Sequence, residues 1–323
     1  MTEPISASPE NENPRGTPRG SGAEPTNPTT ELIVSNYFAA MIDVLGIREQ
    51  LSRVVGPYLS EEQFKRGVES LRVATQRIRD LRNNAMEMCR VVRAAGAQVK
   101  EKIPSFGTPE LQMHGYADTT VLYYSLGGTA KEKVPIMQGV PIGLGTVSLL
   151  MFNSLANRIP LRGAIEVEMG CCVSGPELFG RVVQSCYEIE SKIAQTIRIV
   201  IGPVLMATIE QGKVLPEEQS HVYQAERFLA SRAGQLVARD PTDGLFVLDY
   251  LAAARDIMQN ETAFTETANR ALAFLIEQEA YWTRCLRLDR ATKYRAALNY
   301  FADYRERQPS TPHPTPAPAA TDS

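Results

Sequence analysis

The sequence has 323 residues, of which 43% are hydrophobic and 22% are charged. A chain of this size and composition buries one substantial core and has room for an appended helical unit. Its formal net charge is only −3, so no global positive field favours nucleic acid or an anionic membrane surface as a partner. We therefore expect neither kind of partner.

The chain shows no targeting segment and no cysteine framework. No apolar run approaches the roughly 20 residues that cross a bilayer, and the polar N-terminus lacks the apolar core of a signal peptide. The cysteines show neither an even count nor CxxC spacing, which argues against disulfides and a zinc knuckle. We expect a cytoplasmic protein with reduced thiols.

Both ends of the chain have the composition of disordered tails. Residues 1–30 are rich in Pro, Glu, Asn, Ser and Thr and have almost no large apolar side chains. Residues 308–323 are Pro-rich, which favours an extended, solvated chain. Between the tails we expect one main folded domain over residues 31–258 and a helical extension over residues 259–307.

Hydrophobic periodicity predicts the elements between the tails. In chain order they are a buried strand within 37–46, an amphipathic helix over 61–95, a hairpin of strands 111–116 and 119–126, a helix over 142–158, a strand over 161–172, a helix over 178–196, short strands over 197–201 and 245–248, and helices over 252–305. This order predicts an α+β fold, in which antiparallel strands form one sheet with helices on one face.

Two aspartates stand out among the predicted strands. Asp43 is the one charge in a buried strand, and Asp118 lies at the tip of the hairpin. Burying a carboxylate costs on the order of several kcal/mol unless it is paired, protonated or bound to a metal. The two side chains therefore make a plausible site for divalent ions, and Gly46 would let backbone amides of residues 45–48 approach phosphate oxygens. The residues alone also allow a plainer interpretation, in which Asp118 is a turn residue and Asp43 binds backbone amides.

Four segments together resemble a known family. FAAMIDVLGI at 38–47 looks like the first metal-binding strand of class III adenylate and guanylate cyclases, and MHGYAD at 113–118 resembles their second. RGAIEVEMG at 162–170 resembles their next central strand, and ELFGRVVQ at 177–184 the entry to the following helix. All four occur in the family's order across residues 32–250.

The resemblance implies a ferredoxin-like cyclase catalytic domain over residues 31–258 that works as a head-to-tail homodimer with active sites at the interface. It implies that Asp43, the backbone carbonyl of Val44 and Asp118 bind two Mn²⁺ or Mg²⁺ ions, and that both aspartates are catalytic. The ribose 3′-hydroxyl of a nucleoside triphosphate would then attack the α-phosphate and expel diphosphate.

The resemblance also assigns substrate contacts, with departures from the family pattern. Aligned on the helix entry, the purine-selecting lysine falls on His114, its acidic partner on Glu177 and the helix asparagine on Gln184. The arginine that steadies the transition state becomes Glu188. A different cation must therefore serve the α-phosphate, and the candidates are Arg162, Arg181 or a lysine elsewhere. Leu45 and Gly46 complete the expected phosphate contacts.

The motifs IDVLG, RGAI and FGRVVQSCYEIES are similar to those of the pyrimidine cyclases of bacterial anti-phage defence. This resemblance implies conversion of UTP or CTP into cyclic UMP or cyclic CMP, a messenger that activates a separate effector protein. The alternatives are a purine cyclase, a catalytically silent cyclase-fold module that binds nucleotide or dimerises, and a relative of phosphotransferases or polymerase palms. The last lacks support, because the hairpin carries no acidic dipeptide.

Overall fold

The computed structural model describes residues 34–47, 51, 60–102, 110–116, 118–126, 136–173, 176–216 and 221–308. The tails predicted for residues 1–30 and 308–323 lie outside these residues, apart from Gln308. The boundary predicted near residue 258 stays a prediction.

The described strands form one sheet of mixed direction. They are β1 Val34–Val44, β2 Gln112–Tyr116, β3 Thr119–Ser125, β4 Leu161–Cys172, β5 Leu178–Gly180, β6 Ile199–Ile201, β7 Val237–Arg239 and β8 Phe246–Leu248. Their order is β2-β3-β1-β4-β6-β8-β7, with β5 paired to β4. Every pairing is antiparallel except that of β4 with β6. The α+β class predicted from the sequence is confirmed.

The described helices surround this sheet. They are α1 Glu61–Lys102, α2 Val140–Ala156, α3 Arg181–Lys192, α4 Pro203–Lys213, α5 His221–Gln235, α6 Tyr250–Met258, α7 Glu261–Arg284 and α8 Leu288–Arg307, with a 3₁₀ turn at Ile136–Gln138. The sequence prediction missed α4, α5 and β7. Within the described part of the chain, no helix has both the length and the apolar character that a membrane crossing requires.

The helix predicted over 178–196 is wrong at both ends. Its first residues form β5, which pairs with β4, and the helix ends at Lys192. Gly180 explains the break, because its φ of 129° is incompatible with a helix and suits glycine. A Cβ at Gly180 would also lie 2.7 Å from the Cα of Gly170 on the neighbouring strand.

Helices cover both faces of the sheet, so the expectation of helices on one face is wrong. Alternate side chains of β1 enter two separate apolar cores. The first core includes Phe38, Ala40 and Ile42 together with residues of α2, and the second includes Tyr37, Ala39 and Met41 together with residues of α3. A strand that is buried on both faces has a continuous apolar run rather than an alternating one. That is the pattern of β1, whose last eight residues are all buried.

The C-terminal helices pack on the same core as the sheet. α2 is buried on nearly all sides and contacts α7. Phe152 of α2 stacks on Phe264 of α7 with ring centroids 5.3 Å apart. Phe301 of α8 is buried in the same cluster as Phe38. This packing fixes α7 and α8 relative to β1, which determines one wall of the site described next.

Candidate active site

Strand pairing brings the two predicted metal-binding aspartates to one place. In the sheet, Asp43 lies opposite Thr119 of β3 and opposite Arg162 of β4. Asp118 occupies the turn immediately before Thr119. Asp43 and Asp118 line a cavity of about 340 Å³ at the end of β1, together with Val44 and Arg162. Ligand pockets in proteins are typically a few hundred Å³ or larger.

Arg162 joins Asp43 to a second buried carboxylate. Its Nε and Nη2 donate to Oδ2 of Asp43 at 3.0 and 2.9 Å. Its Nη2 also lies 2.8 Å from Oε1 of Glu190 on α3, and both carboxylates are 7% exposed. Two buried carboxylates need such a cation, since their desolvation is costly. Sequence reasoning missed Glu190, because nothing in its helix pattern sets it apart. The substrate contact predicted for Arg162 stays a prediction.

The turn after β1 has the backbone geometry that the glycine suggested. Gly46 has a φ of 92°, and a Cβ built on it would meet no atom within 4 Å. Leu45 and Gly46 both line the cavity. The amide of Leu45, however, donates to the carbonyl of Pro160 at 3.0 Å. The Leu45 amide is therefore already bound within the protein, and it links the turn to the residue that precedes β4. Residue 48, at the end of the proposed amide run, lies outside the described residues.

A second wall of the cavity, the helix wall, comes from α7 and α8. Its side chains are those of Trp282, Arg290, Lys293 and Tyr294. The guanidinium of Arg290 lies 4.5 Å from the centroid of the Trp282 ring. Burial and the positive charge of Arg162 lower the pKa of Lys293. The cavity therefore has two carboxylates and the Asp43-bound Arg162 on its strand side, and two further cations on its helix side.

These C-terminal residues were not predicted as site residues. Trp282 lines the cavity, and the neighbouring Tyr281 is 46% exposed. The spacing of Arg290 and Lys293 is ordinary for the polar face of a helix, and no sequence signal separates them from the other cations of α8.

The residues predicted to contact the base lie elsewhere in the chain. His114 is on β2 opposite Val121, and Glu177 directly precedes β5. Gln184 is exposed on α3 and donates to Glu188 at 3.1 Å. None of these three residues lines the cavity of its own chain. Their contact with substrate stays a prediction.

The donor set suits a hard divalent cation. Within the described ranges, no three His, Cys, Asp or Glu side chains are grouped as metal ligands. Asp43, Asp118 and the carbonyl of Val44 nevertheless offer oxygen atoms only. Mg²⁺ is usually held by one or two carboxylates and by substrate phosphates rather than by an all-protein cage. The residues present therefore fit a metal ion that arrives with a phosphorylated substrate.

Comparison with known proteins finds one distant similarity. No family model and no curated protein matches the chain. Among solved structures, it is similar to the adenylyl cyclase CyaB from P. aeruginosa, with 14% sequence identity over 68% of this chain and 95% of that one and a TM-score of 0.33.

Proposed function

We propose that the protein is a nucleotidyl cyclase that converts UTP, or CTP, into the 3′,5′-cyclic monophosphate and diphosphate. One observation carries the proposal: Asp43, Val44 and Asp118 line the same cavity as Arg162, Arg290 and Lys293. Oxygen donors beside a group of cations suit a triphosphate that is bound together with divalent ions.

The strand wall of the cavity, formed by Asp43, Val44, Asp118 and Arg162, would hold the metal ions. Asp43, Asp118 and the carbonyl of Val44 would bind two Mn²⁺ or Mg²⁺ ions. When bound, such ions make the ribose 3′-hydroxyl more acidic and offset charge on the departing diphosphate. Arg162 orients Asp43 through the two hydrogen bonds to Oδ2. Gly46 has open space around its Cα, where phosphates would approach the backbone.

The proposed reaction is an in-line displacement at phosphorus. The ribose 3′-oxygen forms a bond to the α-phosphorus, and the bond from that phosphorus to the oxygen bridging to the β-phosphate breaks. The hydroxyl proton passes to water, and diphosphate leaves with the bonding electron pair. The role of the chain is to position these groups and to balance their charge.

A homodimer would bring the base-contacting residues to the cavity of a second copy. Phe179 of β5 is 67% exposed and Tyr187 of α3 is 59% exposed, and both lie on the segment that carries Glu177 and Gln184. Exposed apolar side chains in one region are typical of interaction surfaces. In the proposed dimer, His114, Glu177 and Gln184 read the base from across the interface.

The resemblance to anti-phage cyclases motivates the proposed biological role. The cyclic nucleotide would act as a messenger in the cytoplasm and activate a separate effector protein. The alternative function is a catalytically silent module that binds nucleotide or dimerises, and one observation favours it: Glu188 stands where the family has its transition-state arginine, and its carboxylate accepts from Gln184.

The test is a product assay with each nucleotide. Purified protein is incubated with Mn²⁺ and ATP, GTP, CTP or UTP separately, and the products are identified by mass spectrometry. We expect cyclic UMP or cyclic CMP, and we expect Asp43→Ala to remove it. Cyclic AMP or cyclic GMP instead would show a purine cyclase. No product from any nucleotide, with the protein folded and dimeric, would establish the silent module.

The dimer has its own test, which is complementation between two inactive variants. Asp43→Ala damages the metal side of a site, and Gln184→Ala combined with Glu177→Ala damages the base side. In a mixed dimer, one site carries both defects and the other carries none. We expect the mixture to recover about a quarter of wild-type activity if subunits exchange at random. No recovery, with exchange verified, would contradict sites shared between subunits.

A further inference from the structure

Arg290 and Lys293 are the two cations that the last described helix contributes to the cavity. They are three residues apart on α8, which places them on the same side of the helix. Both line the cavity that Asp43 and Asp118 also line. α8 thus contributes two cations to the site.

The charges of the cavity indicate an anionic ligand on this side. Arg162 is already held between Asp43 and Glu190, so its charge is balanced within the protein. Burial, Arg162 and Arg290 lower the pKa of Lys293 against the opposing effects of Asp289 and Asp43. A half-buried cation in such a field gains from a nearby anion.

The helix wall is organised before any ligand binds. Arg290 stacks on Trp282, and Tyr294 packs edge-on against Phe274 with ring centroids 6.0 Å apart. Phe274 in turn is buried in the main core. Such packing restricts the side chains in advance, and this reduces the entropy lost when a ligand is bound.

We propose that Arg290 and Lys293 bind the terminal phosphates of the nucleoside triphosphate and hold the diphosphate as it leaves. The proposal rests on the proposed function and adds that the C-terminal helices form part of the active site in the same chain. Arginine can contact two phosphate oxygens at once, and lysine contributes a compact charge.

The site contains its own optical probe. Trp282 is the only tryptophan of the sequence and it lines the cavity. Inorganic tripolyphosphate with Mg²⁺ serves as the ligand, because it has the phosphates without the base. Its binding is followed by Trp282 emission and, in parallel, by titration calorimetry, since substitution of Arg290 alters the surroundings of the indole.

We expect the wild-type protein to bind tripolyphosphate saturably. Lys293→Ala and Arg290→Ala should each raise the dissociation constant about 10-fold, as expected for loss of one charged contact. Lys293→Arg should recover most of the affinity. Arg305→Ala is the matched control, because Arg305 is an exposed cation on the same helix. This variant should bind tripolyphosphate with the wild-type dissociation constant. Circular dichroism checks that each variant is folded, and Lys293→Gln or Arg290→Gln replaces the corresponding alanine variant if that one is not.

Failure of this inference can be told apart from failure of the cyclase proposal. If wild-type protein binds no tripolyphosphate, or if the Lys293 and Arg290 variants bind it as tightly as wild type does, the inference is wrong even if a cyclic product forms. If tripolyphosphate binds through Lys293 but no nucleotide is cyclised, the inference stands and the cyclase proposal fails. If both hold, Lys293→Ala should raise the KM for the active nucleotide about 10-fold, with little change in the Mn²⁺ requirement.

Discussion

The two walls of the cavity are built in different ways. The strand wall has Asp43, Asp118 and Arg162, whose positions follow from backbone pairing of β1 with β3 and β4. The helix wall has Arg290 and Lys293, whose positions follow from side-chain packing of α7 and α8 on the core. On the strand wall, Arg162 is bound to two buried carboxylates, those of Asp43 and Glu190, whereas Arg290 and Lys293 of the helix wall line the cavity. We therefore expect the strand wall to govern chemistry and stability, and the helix wall to govern phosphate affinity.

The largest expected effect separates chemistry from phosphate affinity. Asp118→Asn should lower kcat/KM about 10³-fold, or about 4 kcal/mol, because it removes a charged metal ligand. Its affinity for tripolyphosphate without divalent ions should stay close to the wild-type value, because that binding depends on the helix wall. Rates of product formation and calorimetry measure the two quantities. A fully active Asp118→Asn protein would remove Asp118 from the metal site.

The next effect concerns the stability of the strand wall. Arg162→Ala should lower the free energy of unfolding by about 3–5 kcal/mol, because it leaves the carboxylates of Asp43 and Glu190 buried without their cation. Urea denaturation measures the loss. Arg158→Ala is the control, since the ion pair of Arg158 with Glu277 is 54% and 55% exposed and should contribute much less. Equal losses in the two variants would contradict a special role for the buried network.

A smaller effect is expected at Gly46, in the turn that follows β1. Gly46→Ala should cost about 1–2 kcal/mol of stability, because alanine is disfavoured at a φ of 92°. Gly244→Ala is matched to it, with a φ of 73° and equally open space around the added Cβ. Both variants should lose similar stability in urea, but only Gly46→Ala should also lose activity. If Gly244→Ala lost as much activity, the loss would reflect stability alone.

The smallest effect is a pH dependence remote from both walls. Glu166 is 1% exposed on β4 and accepts from the amides of Val204 and Leu205 at the start of α4, at 3.2 and 2.6 Å. Burial raises the pKa of this carboxyl above its ordinary value of 4.5. Since the folded pKa is the higher one, its contribution to stability is complete below pH 4.5 and is lost as pH rises through the folded value.

Glu166→Gln tests this sign directly. The stability of wild type relative to the variant should decrease as pH rises from 4 toward neutrality. Urea denaturation of both proteins across that range gives the difference. A difference that grew with pH would mean that the amides of α4 stabilise the ionised form more than burial destabilises it.

Much of the strand wall can be predicted from local sequence patterns. The residue pattern over 161–172 predicts β4 with the bounds it has, and the hairpin prediction places Asp118 at its turn. A charge inside an apolar strand marks Asp43. These features are local: strand periodicity, turn chemistry and one costly carboxylate are all readable over a few residues.

The rest of the site depends on how distant parts of the chain pack together. Periodicity cannot show that helices cover both faces of the sheet, because a continuous apolar run fits several buried environments. Arg290 and Lys293 have the pattern of any solvated helix face. They belong to the site because α7 packs against α2, through contacts such as that of Phe264 with Phe152. This packing places α8, which follows α7, beside the cavity that Asp43 lines. Such placement depends on packing between elements distant in sequence, which no local pattern encodes.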